Sequence, residues 1–392
     1  MVTAAPSTDF DTSLAEELEL FRENVGRFVQ SEIEPHVAEW EENEEMPREV
    51  WNQLGEAGVL CVDIPSEYGG SDVPASFAAA VIDELSHANC SALASLVGVH
   101  SDIVAHYLLG SGTEEQKQRY LPRMASGELV GAIAMSEPAA GSDLQGIRTT
   151  ARRDGDDFII DGSKTFITNG HHAGIVLTVA RTNPDVSASK GMSIFIVESD
   201  TPGFSRGKRL EKIGQHSADT MELFYDGVRV GQSQLLGDIN NGFVVLMDEL
   251  PRERWMLALT AVAAAEAALD MTVQYVQERK AFGAPLAKLQ NTRFRIAEMK
   301  TELTIHRAFI DHCTALLMNS RLDTATASMA KLSCTEMQGR IADGCLQLFG
   351  GYGYMREYPI SRAFVDARVQ RIYGGASEIM KEIIGRSVLG RG

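Results

Sequence analysis

Three stretches of this chain are denser in small, polar and aromatic residues than packing alone requires. In Met135-Ser136-Glu137-Pro138-Ala139-Ala140-Gly141-Ser142-Asp143 the small residues would let a planar ligand approach the backbone, and the hydroxyls of Ser136 and Ser142 could donate to its heteroatoms. A plain polar loop has the same composition. In Lys164-Thr165-Phe166-Ile167-Thr168-Asn169-Gly170, strand alternation puts Phe166 and Thr168 on one face, an aromatic beside a hydroxyl, as contact with a flat heteroaromatic ring requires. A strand ending in a turn at Asn169-Gly170 accounts for the same residues. The third stretch joins Gln347-Leu348-Phe349-Gly350-Gly351-Tyr352-Gly353-Tyr354 to Tyr373-Gly374-Gly375-Ala376-Ser377-Glu378. Its glycines precede a helix whose N-terminus, with Ser377 near the cap, suits an anion, although ordinary capping explains Ser377 equally well.

The elements that must position these stretches follow from periodicity. Leu14, Leu18, Phe21, Val25, Phe28 and Val29 recur at helical spacing after Ser13 and Glu16, which are spaced as a capping box, and Pro35 weakens the helix beyond them. Further helices are expected over Arg48 to Ala57, Pro74 to His87, Ser91 to Leu109 and from Thr113 to Met124. From Gly131 short apolar runs, Phe158 to Ile160, Ile175 to Ala180, Met192 to Val197 and Met221 to Tyr225, alternate with turn residues and predict a compact antiparallel β region. The helical period then returns over Phe243 to Arg279, Leu289 to Asn319, Asp323 to Leu348 and Ser377 to Leu389. The fold class is therefore α+β, mostly α: an N-terminal helical domain (1–130), a middle antiparallel β-barrel or sandwich domain (131–241) and a C-terminal helical bundle (242–392).

Composition narrows the function. A formal net charge of -18 on 392 residues opposes nucleic-acid binding and attraction to anionic membranes. The five cysteines are scattered without a CxxC, which suits thiols in a reducing compartment. Met1 to Asp11 lacks a basic region followed by an apolar run, and no stretch reads as a membrane span, so a cytoplasmic protein without membrane insertion is expected. Strands do not alternate with helices and no glycine-rich turn follows a first strand, which excludes a doubly wound nucleotide-binding fold. There is no P-loop, HExxH or GxSxG. His171-His172 is the only adjacent histidine pair, and neighbours on a strand point to opposite faces, unsuited to sharing one metal, so no metal is assigned.

The chemistry-bearing segments resemble those of the acyl-CoA dehydrogenases. AMSEPAAGSD ending at Asp143, KTFITNG from Lys164, ERKAFG from Glu278, QLFGGYGY from Gln347 and IYGGASEI from Ile372 stand in that family's order and spacing, and the resemblance covers essentially the whole chain. HSDIV at His100, GSDLQGIRT at Gly141, LPRER at Leu250 and the glycine at 374 are similar to the long-chain branch. Medium- and short-chain members carry their catalytic glutamate immediately after the tyrosine of the last segment, where this chain has Gly374. The resemblance to the long-chain and isovaleryl branches therefore implies Glu253 as the base, on a C-terminal-domain helix.

What else the resemblance implies is an FAD enzyme that oxidises a fatty acyl-CoA to its trans-2-enoyl form. Ile133, Ala134, Met135, Ser136, Gly141 and Ser142, with Phe166, Ile167 and Thr168, would hold the isoalloxazine and pantetheine. Arg279, Phe282, Gln290, Gln347, Leu348, Gly350 and Gly351, with Tyr373, Ala376, Ser377 and Glu378, would hold the rest of the FAD. Ser142, Arg254 and Gly375 would contact substrate. The thioester carbonyl would sit between the Gly374 N–H and a ribityl hydroxyl, as in an oxyanion hole, while desolvation raises the pKa of Glu253 and the β-hydride passes to flavin N5 beside Thr168. Phe166 replaces the family's usual tryptophan. A homotetramer built as a pair of dimers and an electron-transferring flavoprotein as acceptor are further implications. An acyl-CoA oxidase or flavin monooxygenase on the same scaffold, or a non-catalytic acyl-CoA-binding protein, are the alternatives. Small residues Ser91, Ala92, Ala94, Ser95 and Gly98 would either leave room for a long acyl tail or allow close helix packing.

Overall fold

The computed structural model describes residues 12–390. Its first helical region contains α1 (Thr12–Phe28), α2 (Val37–Asn43), α3 (Glu49–Glu56), α4 (Ala75–His87), α5 (Ser91–Val97), α6 (Ala105–Ser111) and α7 (Glu114–Ala125). After α1 the backbone loosens into a π turn, Val29–Ile33, and then a 3-10 turn, Glu34–His36, around Pro35, which has no N–H to continue the ladder. α1 already runs through Ser13, whose side chain lies outside the described residues, as do Met1 to Asp11. α7 opens with a capping box: Thr113 Oγ1 accepts from Gln116 N at 3.3 Å, and Gln116 Oε1 accepts from Thr113 N at 2.9 Å. α5 and α6 are joined without a break by a π segment, Gly98–Val104.

The β region is β1 (Val130–Ala134), β2 (Thr150–Asp154), β3 (Asp157–Thr168), β4 (Ala173–Arg181), β5 (Met192–Glu198), β6 (Phe204–Arg209), β7 (Thr220–Val230) and β8 (Leu235–Leu236). These form one sheet in the order β6-β7-β3-β2-β4-β5-β8, with β1 against β4. The expectation of a purely antiparallel region needs correction. β1 runs parallel to β4 (Gly131 to Ile175, Ala134 to Thr178), and β2 touches β4 in a parallel bridge at Thr150 and Arg181. β1 enters from α7 rather than through a tight turn, so no hairpin forces it antiparallel. The strands close over their own apolar cluster, in which Phe158 and Phe195 tilt against each other at 5.0 Å.

The C-terminal region is α8 (Gly242–Glu278), a small hairpin of β9 (Lys280–Ala281) and β10 (Ala284–Pro285), α9 (Gln290–Met318), α10 (Thr324–Phe349), α11 (Pro359–Ala367) and α12 (Ser377–Leu389). α11 and the hairpin are additions to the expected helices. α11 starts on Pro359 and is too short for its two buried apolar residues, Ile360 and Ala367, to display a period. α8 is buried on every side from Glu253 to Ala265 and is the axis on which the helical domains pack. Contrary to the sequence reading, two helices are long and apolar enough to cross a membrane by length and composition. These are Ser91–Ser111 and Gly242–Glu278, whose most apolar windows are 83% and 78% buried inside the fold. Both are core helices here.

Candidate active site

α8 carries Glu253 inward, leaving it 3% exposed. Its Oε1 accepts a hydrogen bond from the Tyr107 hydroxyl of α6 at 2.6 Å. Burial pushes the Glu253 carboxyl above its ordinary range, and the bond from Tyr107 and the neighbouring Arg254 guanidinium restrain that rise. Arg254 is itself buried: one terminal nitrogen donates to Ser328 Oγ on α10 at 3.2 Å, while its Nε has no hydrogen-bond partner. Burial lowers the guanidinium's pKa, with Glu253 opposing.

Facing this helix is the turn before α12. Gly374 and Gly375 have φ of 61° and 97°, left-handed values that favour glycine. A Cβ at Gly374 would stand 2.1 Å from Leu257 Cδ1. Leu257 lies one helical turn beyond Glu253 on the same face of α8, so the turn is pressed against the helix face that bears the carboxylate. On the other side Lys331 of α10, fully buried, donates from Nζ to the Gly375 carbonyl at 2.7 Å. Burial lowers that ammonium's pKa to about 8, and the charge of Arg254 adds to the effect. The Tyr373 hydroxyl lies 3.4 Å from Ser95 Oγ, which also accepts from Gln215 Nε2 at 3.3 Å.

The first two stretches are brought together by one ion pair. Lys164 Nζ reaches Glu137 Oε1 at 2.8 Å and Met135 O at 3.0 Å, and Thr165 N donates to Ser136 O at 3.0 Å. Glu137 also accepts from the backbone N–H of Arg148 (2.6 Å) and Thr149 (3.0 Å). Burial alone would raise its carboxyl, but Lys164 and these donors hold it below the usual range. Burial takes the Lys164 ammonium down to about 8 against the pull of Glu137. β3 bulges between Lys164 and Ile167 against β7, and Phe166 sits at φ 60° with its ring 70% exposed. Thr168 follows, half-buried, and Asn169 Nδ2 ties the strand end to Leu96 O (3.0 Å) and Gly131 O (3.1 Å). Phe166 and Thr168 therefore face outward as alternation requires, but the bulge is what sets their projection.

Arg279, Phe282, Gln290, Gln347, Gly350 and Gly351 gather at the end of the bundle where the β9–β10 hairpin lies, and all are exposed. Arg279 lies over the Tyr352 ring at 5.1 Å, and Tyr275 stacks on Phe349 at 4.0 Å, which joins the two segments. Phe282, at φ 53°, is 94% exposed. Ser377 is not the cap of α12: Ala376 is, and the Ser377 hydroxyl donates to Glu336 Oε1 at 2.8 Å. Glu378 stands exposed in the first turn.

Three family models match, the acyl-CoA dehydrogenase N-terminal domain over residues 15–128, the middle domain over 132–228 and the C-terminal domain over 240–389. The chain belongs to the acyl-CoA dehydrogenase family. Among its relatives, the mitochondrial long-chain specific acyl-CoA dehydrogenase of Sus scrofa is 48% identical over 374 residues, 95% of this chain and 86% of the relative. The crystal structure of an acyl-CoA dehydrogenase from Geobacillus kaustophilus is 43% identical with a TM-score of 0.93, over 95% of this chain and 98% of that one. A glutaryl-CoA dehydrogenase from Mycobacterium smegmatis in complex with FADH2 is 30% identical with a TM-score of 0.91, over 98% and 97%.

Acyl-CoA dehydrogenases are FAD-dependent oxidoreductases, and this chain is one of them. Its residues fit the cofactor. A Cβ at Gly141, Gly350 or Gly351 would meet nothing within 4 Å, which leaves open space beside the backbone at both expected ends of the flavin nucleotide. The exposed Phe166 ring offers an aromatic face. Three features of this acyl-CoA dehydrogenase escaped the sequence reading. Tyr107 and Lys331 fall inside expected helices and carry no assigned role there, since a hydroxyl or an ammonium in an apolar helix face gives no sign of its partner; the one available signal was the polar group itself in an otherwise apolar stretch. Lys164 opens the second stretch but has no role of its own in that reading.

The histidine reading also changes. His171 and His172 lie in the turn after β3, not on a strand, and with Glu45 they bring one ligand atom each within 4.8 Å of one another. Protein contacts engage the set: Glu45 pairs with Arg209 at 3.3 Å, and His172 Nε2 meets Met46 O at 3.0 Å. The small residues of α5 and the start of the π segment pack closely. A Cβ at Gly98 would stand 2.7 Å from Met256 Sδ, and Ser91, Ala92, Ala94 and Ser95 are all buried.

Proposed function

We propose that Glu253 is the base that removes the α-proton of a long-chain acyl-CoA, yielding the trans-2-enoyl thioester of fatty acid β-oxidation. The observation that carries this reading is the placement of a buried, proton-hungry carboxylate one helical turn from Leu257, which packs on the Gly374 turn. An α-proton beside a thioester is weakly acidic, so the base needs both a raised pKa and a partner that stabilises the enolate. The Gly374 N–H donates to the thioester oxygen as charge develops there. Arg254, with a free Nε, contacts the substrate, together with Ser142 and Gly375. Ile133 to Ser142 and Phe166 to Thr168 would hold the flavin ring, with the Thr168 hydroxyl orienting it, and Arg279, Phe282, Gln290, Gln347 to Gly351, Tyr373 and Ala376 to Glu378 would hold the remainder of the FAD, which when bound would accept the β-hydride.

The exposure of the nucleotide-end residues supports completion of that site by another subunit, as in a homotetramer of paired dimers. Five buried, unpaired cysteines support a reducing compartment such as the cytoplasm. An electron-transferring flavoprotein would reoxidise the enzyme. Anaerobic titration with octanoyl-, palmitoyl- and isovaleryl-CoA tests the reading: palmitoyl-CoA should bleach the flavin band most effectively. Failure of all three, or rapid aerobic reoxidation in place of transfer to the flavoprotein, would refute it.

A second expectation concerns the alternative origin of the carboxylate. In a Glu253→Gln background, Gly374→Glu alone should recover little activity, because its Cβ meets Leu257 Cδ1 at 2.1 Å and its φ of 61° is strained. Adding Leu257→Ala removes the clash and should raise turnover about tenfold over Glu253→Gln. Equal activity of the double and triple variants in a steady-state assay would contradict this account of the turn.

A further inference from the structure

We propose that Tyr107 is the positioning residue of the base: its hydroxyl holds one carboxylate oxygen of Glu253 and leaves the other to take the α-proton. This rests on the reading of Glu253 as the base. Tyr107 is 0% exposed, and its hydroxyl meets the carboxylate at 2.6 Å. Burial first, then the charge of Glu253, raises the phenol's pKa, so it stays a donor across the working range.

The fold aims this bond through a second, adjacent contact. His106 Nε2 lies 3.1 Å from Asp63 Oδ1, and Asp63 also pairs with Arg252, which reaches Asp102 at 3.1 Å. Consecutive residues of α6, His106 and Tyr107, thus meet consecutive residues of α8, Arg252 and Glu253, the first pair through Asp63 and the second directly. The wide turns of the π segment Gly98–Val104 set the rotation of α6 that makes both contacts possible. The charged and titratable groups around Glu253 are Glu249, Arg252 and Arg254 on α8, Tyr107 and His106 on α6, Asp102 in the π segment, Asp63 in the loop after α3, and Lys331 on α10. Burial raises Glu249 to about 7, so the test substitutes it by glutamine to keep its titration out of the pH profile.

The test is the pH dependence of kcat/KM for palmitoyl-CoA in holoenzyme carrying Glu249→Gln, with and without Tyr107→Phe. Losing a donor to the carboxylate favours its protonated form, so the acidic limb should move up by about one pH unit and turnover at neutral pH should fall about tenfold. Flavin content should be unchanged. Fluorotyrosine at position 107, a stronger donor of nearly the same shape, should move the limb the other way, and it decides the matter if Tyr107→Phe loses its flavin. An unmoved limb in the phenylalanine variant with normal flavin, or in the fluorotyrosine protein, would overturn the proposal. The Glu253→Gln control separates the two readings: if it is inactive while Tyr107→Phe behaves as wild type, only the role of Tyr107 falls. If Glu253→Gln turns over normally, the base assignment itself is wrong.

Discussion

Glu253→Gln should lower turnover of palmitoyl-CoA by on the order of 10³- to 10⁴-fold while the protein remains yellow. Glutamine keeps the shape of the side chain and can still accept from the Tyr107 hydroxyl, so the packing of α8 against α6 is preserved. It also removes a buried charge, which burial already disfavours, so the fold should lose little stability. Only basicity disappears. Steady-state rates and the ratio of flavin to protein absorbance check this in one preparation. Wild-type turnover would exclude Glu253 as the base, whereas loss of flavin would assign it a structural role that this geometry does not predict.

Glu137→Ala should have the largest effect on stability, about 3–5 kcal/mol for breaking a buried ion pair. It strands the fully buried Lys164 ammonium and leaves the N–H groups of Arg148 and Thr149 without their acceptor. Because the pair clamps the Met135 and Ser136 backbone to β3, both expected flavin-contacting stretches should loosen together. Glu137→Gln keeps an acceptor for only one of the two backbone donors, which bond to different carboxylate oxygens, and should cost less than alanine but still destabilise. Thermal unfolding followed by flavin release would read both effects. A Glu137→Ala protein with unchanged midpoint and full flavin would mean that the pair neither holds the fold nor shapes the site.

Local signals carried much of the architecture. The long apolar run of α8, the capping box of Thr113 and Gln116, and the short apolar runs of β4 and β5 are all written in neighbours along the chain, and these elements stand where those local signals place them. Parallel pairing of β1 with β4 is a non-local choice, made when the chain leaves α7, and alternation is blind to it. Phe166 illustrates the limit at the site. Its residue type and place on the strand face were legible, but its φ of 60° is imposed by a bulge against β7, which depends on pairing with residues far along the chain. Gly374 was legible as a departure from a familiar pattern, yet the reason a side chain is disfavoured there, Leu257 on α8, appears only once α12 is docked. The partners of Glu253 and Gly375 were hidden for the same cause: Tyr107 and Lys331 come from other helices, and a single polar group in an apolar run does not announce what it faces.

The most direct measurement is isotope exchange at Cα. Palmitoyl-CoA is incubated anaerobically in deuterated solvent with wild-type holoenzyme and with Glu253→Gln, without an electron acceptor, and the recovered thioester is analysed by mass spectrometry. If Glu253 removes the α-proton, the wild type should incorporate deuterium at Cα and the variant should incorporate essentially none while still binding the thioester. Equal incorporation by the two proteins would contradict the assignment of Glu253 as the base.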